Sequence, residues 1–113
     1  MNHNIKPGVA TGKEVQAIFN HAKANNYALP AVNVIGSDTI NGVLETARDL
    51  NAPVIIQFSN GGAQFNSGKG LSNDGQKAAI AGAVAGAKHV HTLAEAYGAV
   101  SYTHLTLPTI YSV

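Results

Sequence analysis

The chain has 113 residues, of which 45% are hydrophobic and only 12% charged, with a formal net charge of +1. That composition supports a buried core, while the absence of a Lys/Arg block argues against nucleic acid or a membrane surface as partner. The chain has no cysteine and no apolar leader, which excludes disulfides and thiolate metal sites and leads us to expect a cytoplasmic protein.

The first half of the chain predicts a helix, a strand and a second helix. Thr11 and Glu14 have the spacing of a capping box, and apolar residues at helical spacing follow them. The apolar run 28–35 predicts a strand, and Ser37 or Asp38 is then expected to cap the second helix.

A second strand and a long helix follow. Val54–Phe58 is continuous and β-branched rather than alternating, which is typical of a strand covered on both faces in a parallel sheet. Residues 59–75 are polar and glycine-rich and predict a long loop. The next helix should run over 76–97, with small residues that permit close packing: Ala78, Ala81, Gly82, Ala85 and Gly86.

This order of elements is the opening of a parallel α/β fold. A strand, a helix and a strand at this spacing form a βαβ unit with a right-handed crossover. A closed barrel needs about 250 residues. We therefore predict an opening helix plus the first two βα units of a TIM (β/α)8 barrel, which this chain leaves incomplete.

Candidate binding residues follow from this fold, because parallel α/β proteins bind ligands at the carboxyl ends of their strands. Those ends lie at 33–37 and at 59–62. The Ser59 hydroxyl and the N–H groups of Asn60, Gly61 and Gly62 make a candidate phosphate cradle. The alternative is an ordinary turn, rich in residues that tolerate positive φ.

Metal and nucleotide motifs are not evident. No G-x-G-x-x-G opens a helix after a strand, and Gly68-Lys69-Gly70 lacks the Ser or Thr of a P-loop. His89 and His91 are two residues apart, so on a helix they point to different faces and cannot chelate one metal together. We expect His91 to be packed and His89 to face solvent.

Several stretches resemble the N-terminal part of class II, zinc-dependent fructose-bisphosphate aldolase. They are residues 6–9, 28–33, 43–47, 52–63 and 67–70. The Gln-Phe-Ser-Asn-Gly-Gly sequence at 57–62 is typical of the fructose-type branch. The resemblance covers nearly all of residues 5–98.

The resemblance implies a TIM-barrel lyase of glycolysis, normally a homodimer. Such an enzyme reversibly cleaves fructose 1,6-bisphosphate into dihydroxyacetone phosphate and glyceraldehyde 3-phosphate, with zinc as a Lewis acid and an aspartate that transfers protons. Asn33 and Ser59 match family positions that contact the substrate. The implied partners are therefore a sugar bisphosphate or triose phosphate.

The chain departs from the family after Gly98. There the family has a strand that ends in His-x-Asp-His and supplies the catalytic aspartate and the first zinc histidine. This chain has a single histidine, His104, and no aspartate. An isolated His104 cannot hold catalytic zinc, which normally takes three protein ligands. We predict no catalytic residue, no metal ligand, no bound zinc and no aldolase activity in this chain.

The C-terminal residues resemble something other than protein. Residues 100–109 look like one translated reading frame of the transposase adapter used in short-read sequencing libraries. We therefore expect residues 1–98 to be the N-terminal part of a TIM-barrel aldolase domain and 99–113 to be a non-native tail. Two other hypotheses are a non-catalytic phosphate-binding βαβ module and an unstable gene-fragment product.

Overall fold

The computed structural model describes residues 5–105 and contains a four-stranded parallel sheet in the order β1-β4-β3-β2. In chain order the elements are β1 (Gly8–Val9), α1 (Lys13–Ala24), β2 (Ala31–Asn33), α2 (Gly36–Leu50), β3 (Val54–Phe58), α3 (Asn60–Ser67), a 3-10 turn (Asp74–Gln76), α4 (Lys77–Tyr97) and β4 (Val100–Leu105). The predicted α/β class is confirmed. No helix within the described range is long and apolar enough to cross a membrane.

The main core lies between the sheet and the helices α2 and α4. Alternate residues of β3, which are Val54, Ile56 and Phe58, turn their side chains into this core. Leu44 of α2 and Val90 of α4 meet them there, and both are completely buried. Burial of such side chains contributes roughly 1.5–3 kcal/mol each. This apolar layer holds the parallel strands in place, so their carboxyl ends lie together at one edge of the sheet.

Helix α1 packs on the opposite face of the sheet. Val100 of β4 belongs to a small apolar cluster with Ile18 of α1. The rings of Phe19 and Tyr102 meet edge to face, with their centroids 6.1 Å apart. The sheet is therefore covered on both faces near its amino-terminal end.

Two predicted helix starts are wrong in detail. Helix α2 begins at Gly36 with Ile35 as its N-cap, so neither Ser37 nor Asp38 caps it. The Thr39 hydroxyl instead accepts the Ile35 N–H at 2.9 Å. Strand β2 is also shorter than the predicted run 28–35, because it pairs with β3 only over Ala31–Asn33.

Only half of the predicted capping box forms at α1. The Glu14 carboxylate accepts the Thr11 N–H at 3.5 Å. The N-cap residue, however, is Gly12, and no side chain caps this helix.

The predicted loop over 59–75 is wrong, because it contains α3 and the 3-10 turn. Helix α3 packs directly against α4. A Cβ at Gly82 would lie 1.6 Å from the Ala63 carbonyl oxygen, so the two backbones approach closely there. Of the small residues predicted to permit packing, Ala78, Gly82 and Gly86 are buried, whereas Ala81 and Ala85 are exposed.

Strand β4 lies between β1 and β3 but carries hydroxyls on the core side of the sheet. Its register pairs Ser101 with Val54 and Thr103 with Ile56, both of which face the apolar core. The Ser101 and Thr103 hydroxyl oxygens are buried, and neither has a hydrogen-bond partner among residues 5–105. The non-native origin of residues 99–113 stays a prediction, and residues 106–113 of that segment lie outside the described range.

Candidate substrate-binding site

Three polar side chains form a row across the carboxyl end of the sheet. The strand registers pair Asn33 of β2 with Gln57 of β3, and Gln57 with His104 of β4. Asn33 and His104 are exposed, and Gln57 is half-buried. Because side chains alternate along a strand, this row lies on the face opposite to the core residues Ile56 and Phe58. The row is therefore open to a ligand.

A hydrogen bond orients Asn33 within this row. The Gln57 Nε2 donates to the Asn33 Oδ1 at 3.0 Å. The Asn33 amide nitrogen has no partner among residues 5–105, so it can donate to a ligand oxygen. Gln57 was not predicted as a site residue, although its polarity inside an otherwise apolar strand is the signal that could have found it.

Ser59 follows β3 directly and caps α3. Its Oγ accepts the Gly62 N–H at 3.1 Å. This bond uses an oxygen lone pair and leaves the hydroxyl hydrogen available to a ligand. Gly62 is buried, and a Cβ there would lie 3.1 Å from the Val34 carbonyl oxygen, so the turn fits closely against the end of β2.

The predicted phosphate cradle is narrower than expected. The Asn60 side chain is engaged on both sides, since it donates to Gln76 at 2.9 Å and accepts from Gln64 at 2.6 Å. The Gly62 N–H is bonded to Ser59. The backbone N–H groups of Asn60 and Gly61 lie in the first turn of α3, where a helix leaves N–H groups without an intrahelical partner and favours anions.

Asn66 joins the two predicted binding segments. Its Oδ1 accepts the Gly36 N–H at 2.7 Å, which connects α3 to the turn that follows β2. This residue was also not predicted, because a contact across 30 residues has no local sequence signal.

The two histidines of α4 have the reverse of their predicted environments. His89 is half-buried, and its Nε2 lies 2.8 Å from the Asn41 Oδ1, whereas His91 is exposed. In residues 5–105 no three side chains of His, Cys, Asp or Glu come together to hold a metal ion. The zinc that the family resemblance implies therefore does not fit this set of residues.

The chain is similar in sequence to known fructose-bisphosphate aldolases. The family model for fructose-bisphosphate aldolase class-II matches residues 13–106. A fructose-bisphosphate aldolase class 2 of Escherichia coli (strain K12) is 59% identical over 101 residues, which are 88% of this chain and 28% of that protein. A fructose-bisphosphate aldolase of Aspergillus oryzae is 54% identical over 93 residues, which are 82% of this chain and 26% of that protein.

A solved structure shows the same arrangement of elements. The crystal structure of a fructose-bisphosphate aldolase from Campylobacter jejuni matches with a TM-score of 0.82 and 52% sequence identity, and the match covers 90% of this chain and 28% of that chain. The fold is therefore that of the opening βα units of an aldolase TIM barrel.

The chain belongs to the class II fructose-bisphosphate aldolase family, whose model matches most of its length. The predicted resemblance and fold class are thus confirmed. The chain spans 28% of the length of the first relatives it matches. The family match also runs to residue 106, past the predicted boundary at Gly98.

Proposed function

We propose that this chain is the substrate-binding N-terminal part of a class II fructose-bisphosphate aldolase. The longer protein would reversibly cleave fructose 1,6-bisphosphate into dihydroxyacetone phosphate and glyceraldehyde 3-phosphate in glycolysis. The observation that carries the proposal is the position of Asn33 and Ser59. Both residues match family positions that contact the substrate, and they lie at the carboxyl ends of two adjacent parallel strands.

The two residues take different parts in binding. The Asn33 amide nitrogen, oriented through Gln57, donates to a substrate oxygen. The Ser59 hydroxyl and the N–H groups of Asn60 and Gly61 bind a phosphate group at the start of α3, where the helix dipole favours negative charge. Hydrogen bonds to a charged group stabilise a complex by about 1.5–3 kcal/mol each.

The catalytic and metal-binding residues belong to other parts of the full-length protein. We place the zinc ligands and the proton-transferring aspartate outside this chain, so the chain alone is inactive and binds no catalytic zinc. The family resemblance also supports a homodimer. The low net charge and the absence of a Lys/Arg block support a protein that binds neither nucleic acid nor membranes, and we propose that it is cytoplasmic. Residues 99–113 are proposed to be non-native, which the hydroxyls of Ser101 and Thr103, unpartnered among the described residues, support.

The first test measures thermal stability of the 113-residue chain with fructose 1,6-bisphosphate. We expect the ligand to raise the melting temperature of the original chain. Ser59→Asp should abolish that rise, because aspartate still caps α3 but repels phosphate. An equal ligand-induced rise in both proteins would contradict the assigned role of Ser59.

The second test measures catalysis by the same chain. Cleavage of fructose 1,6-bisphosphate with added zinc should not exceed a metal-free control. Cleavage above that control would show that the chain holds a complete catalytic site, against the proposal.

A non-catalytic phosphate-binding module is the second candidate, and the first-turn N–H groups of Asn60 and Gly61 favour it. Such a module should respond equally to inorganic phosphate and to fructose 1,6-bisphosphate. An aldolase segment should prefer the sugar bisphosphate, because Asn33 then contributes a further contact. Titrations with the two ligands distinguish the candidates.

A further inference from the structure

Helix α3 is held against the turn after β2 at two points on one face of the helix. A Cβ at Gly62 would lie 3.1 Å from the Val34 carbonyl oxygen, so the helix backbone lies close to the turn there. Four residues further along α3, the Asn66 Oδ1 accepts the Gly36 N–H at 2.7 Å. Residues four apart lie on the same face of a helix, so this face of α3 is the one that meets the turn.

The Asn66 side chain also reaches α4. Its Nδ2 donates to the Gly82 carbonyl at 3.5 Å, and a Cβ at Gly86 would lie 2.8 Å from the same nitrogen. The amide therefore lies where α3, α4 and the turn after β2 meet. A single side chain thus connects α3 to both of its neighbours.

The pairing of the strands does not by itself set the position of the start of α3. The register of β2 and β3 ends at the pair of Asn33 and Gln57, whereas Ser59 and the first turn of α3 follow beyond that pair. The separation between the Asn33 amide and Ser59 therefore depends on how α3 is held. The contacts of Gly62 and Asn66 with the turn after β2 hold it.

We propose that Asn66 is a positioning residue that makes this chain select a sugar bisphosphate over inorganic phosphate. It holds the phosphate-binding start of α3 at the separation from Asn33 at which one ligand contacts both. Inorganic phosphate occupies only the start of α3, so its binding does not depend on that separation. The inference rests on the proposed function, because it takes Asn33 and Ser59 as binding residues.

Isothermal titration calorimetry of the 113-residue chain tests this proposal, with fructose 1,6-bisphosphate and inorganic phosphate as ligands. We expect the original chain to bind the sugar bisphosphate at least about tenfold more tightly, which corresponds to one good hydrogen bond. Asn66→Leu should reduce that ratio below about threefold, because leucine has a similar size but cannot accept the Gly36 N–H. Its affinity for inorganic phosphate should change less than about twofold, since that ligand does not contact Asn33.

Asn66→Asp separates the hydrogen bond from the rest of the side chain. It keeps an oxygen that accepts the Gly36 N–H, so the preference should stay within about twofold of that of the original chain. Should Asn66→Leu fail to fold, this variant decides, because loss of the preference with the acceptor kept would contradict the proposal.

Asn41→Leu is the matched control. Asn41 is half-buried like Asn66, and its Oδ1 lies 2.8 Å from the His89 Nε2, so the change removes a similar bond between two elements. That bond joins α2 to α4 and involves neither α3 nor the turn after β2. We expect a similar fall in melting temperature for both leucine variants, but an unchanged ligand preference for Asn41→Leu.

Three results would overturn the proposal. They are a preference that survives in Asn66→Leu, a preference lost to the same degree in Asn41→Leu, and an equal loss of affinity for both ligands in Asn66→Leu, which would make the amide a structural bond only. Equal binding of the two ligands by the original chain would instead remove the proposed function together with this inference. A preference present in the original chain and kept in Asn66→Leu would leave the proposed function standing.

Discussion

Gly82 and Gly86 allow neighbouring groups to approach α4 more closely than a side chain at either position would permit. A Cβ at Gly82 would collide with the backbone of Ala63, and a Cβ at Gly86 would lie 2.3 Å from the Phe58 ring. Neither glycine has a positive φ, so space and not backbone conformation accounts for them. Because Phe58 precedes Ser59, this packing also positions the start of α3.

Gly82→Ala should therefore lower the free energy of unfolding by about 2 kcal/mol or more, as overpacking against a backbone does. Gly42 provides the control, because it lies inside α2 with open space around its Cβ position. Gly42→Ala should raise stability by about 1 kcal/mol, through helix propensity alone. Urea denaturation of both variants measures the difference, and equal effects would contradict the close approach of α3 and α4.

Ser59 has a structural role that can be separated from ligand binding. Ser59→Ala removes the hydroxyl that accepts the Gly62 N–H and should cost about 1 kcal/mol of stability. Ser59→Asp keeps a capping oxygen and should change the free energy of unfolding by less than about 0.5 kcal/mol. Chemical denaturation without ligand gives both values, and an unchanged Ser59→Ala protein would argue against the cap.

Strand β4 is the element whose sequence agrees least with its surroundings. Its backbone is paired on both sides near its start, with β1 and with β3. Its core-facing hydroxyls, in contrast, have lost water without gaining a hydrogen bond within residues 5–105. An unsatisfied buried polar group of this kind costs about 1–3 kcal/mol.

Thr103→Val should stabilise the chain by about 1 kcal/mol, because valine has nearly the same shape and removes the unsatisfied hydroxyl. Thr92→Val is the control, since Thr92 is exposed on α4 and its hydroxyl donates to the Lys88 carbonyl. That change should stay within about 0.5 kcal/mol. Melting temperatures compare the two, and a destabilised Thr103→Val protein would mean that the hydroxyl has a partner in solution.

Elements with a strong local pattern were predictable from the sequence. The continuous apolar run of β3 predicted the bounds of that strand. The end of α2 was predictable because its C-cap, Asn51, has a φ of 47°, and asparagine tolerates this left-handed conformation. Helix α3 was missed because it is short and glycine-rich, and because contacts with α4 hold it in place. A two-residue strand such as β1, paired with residues more than ninety positions away, has no local signal.

The candidate site was predictable only in part, for a related reason. Fold logic and family resemblance both selected Asn33 and Ser59, at strand ends. The Gln57 bond that orients Asn33 depends on the register of two strands, and the reversed environments of His89 and His91 depend on which helix packs against α4. The helical spacing of the α4 residues does not show which helix packs against α4.

Large apolar side chains are exposed within the described residues, among them Leu50, Phe65, Ile80 and Val84. The chain also has few charged residues, 12% of the total. We propose that residues 5–98 form a working segment of an aldolase barrel.

Steady-state kinetics of a chimaera tests that claim most directly. Residues 5–98 replace the matching segment of the Campylobacter jejuni aldolase, and cleavage of fructose 1,6-bisphosphate is measured with zinc. We predict an active enzyme in which Ser59→Ala raises KM at least about tenfold, from the loss of a hydrogen bond to a charged group. A second chimaera that also includes residues 99–105 should be inactive. A folded, zinc-loaded first chimaera without activity, or one in which Ser59→Ala has no effect on KM, would contradict the account.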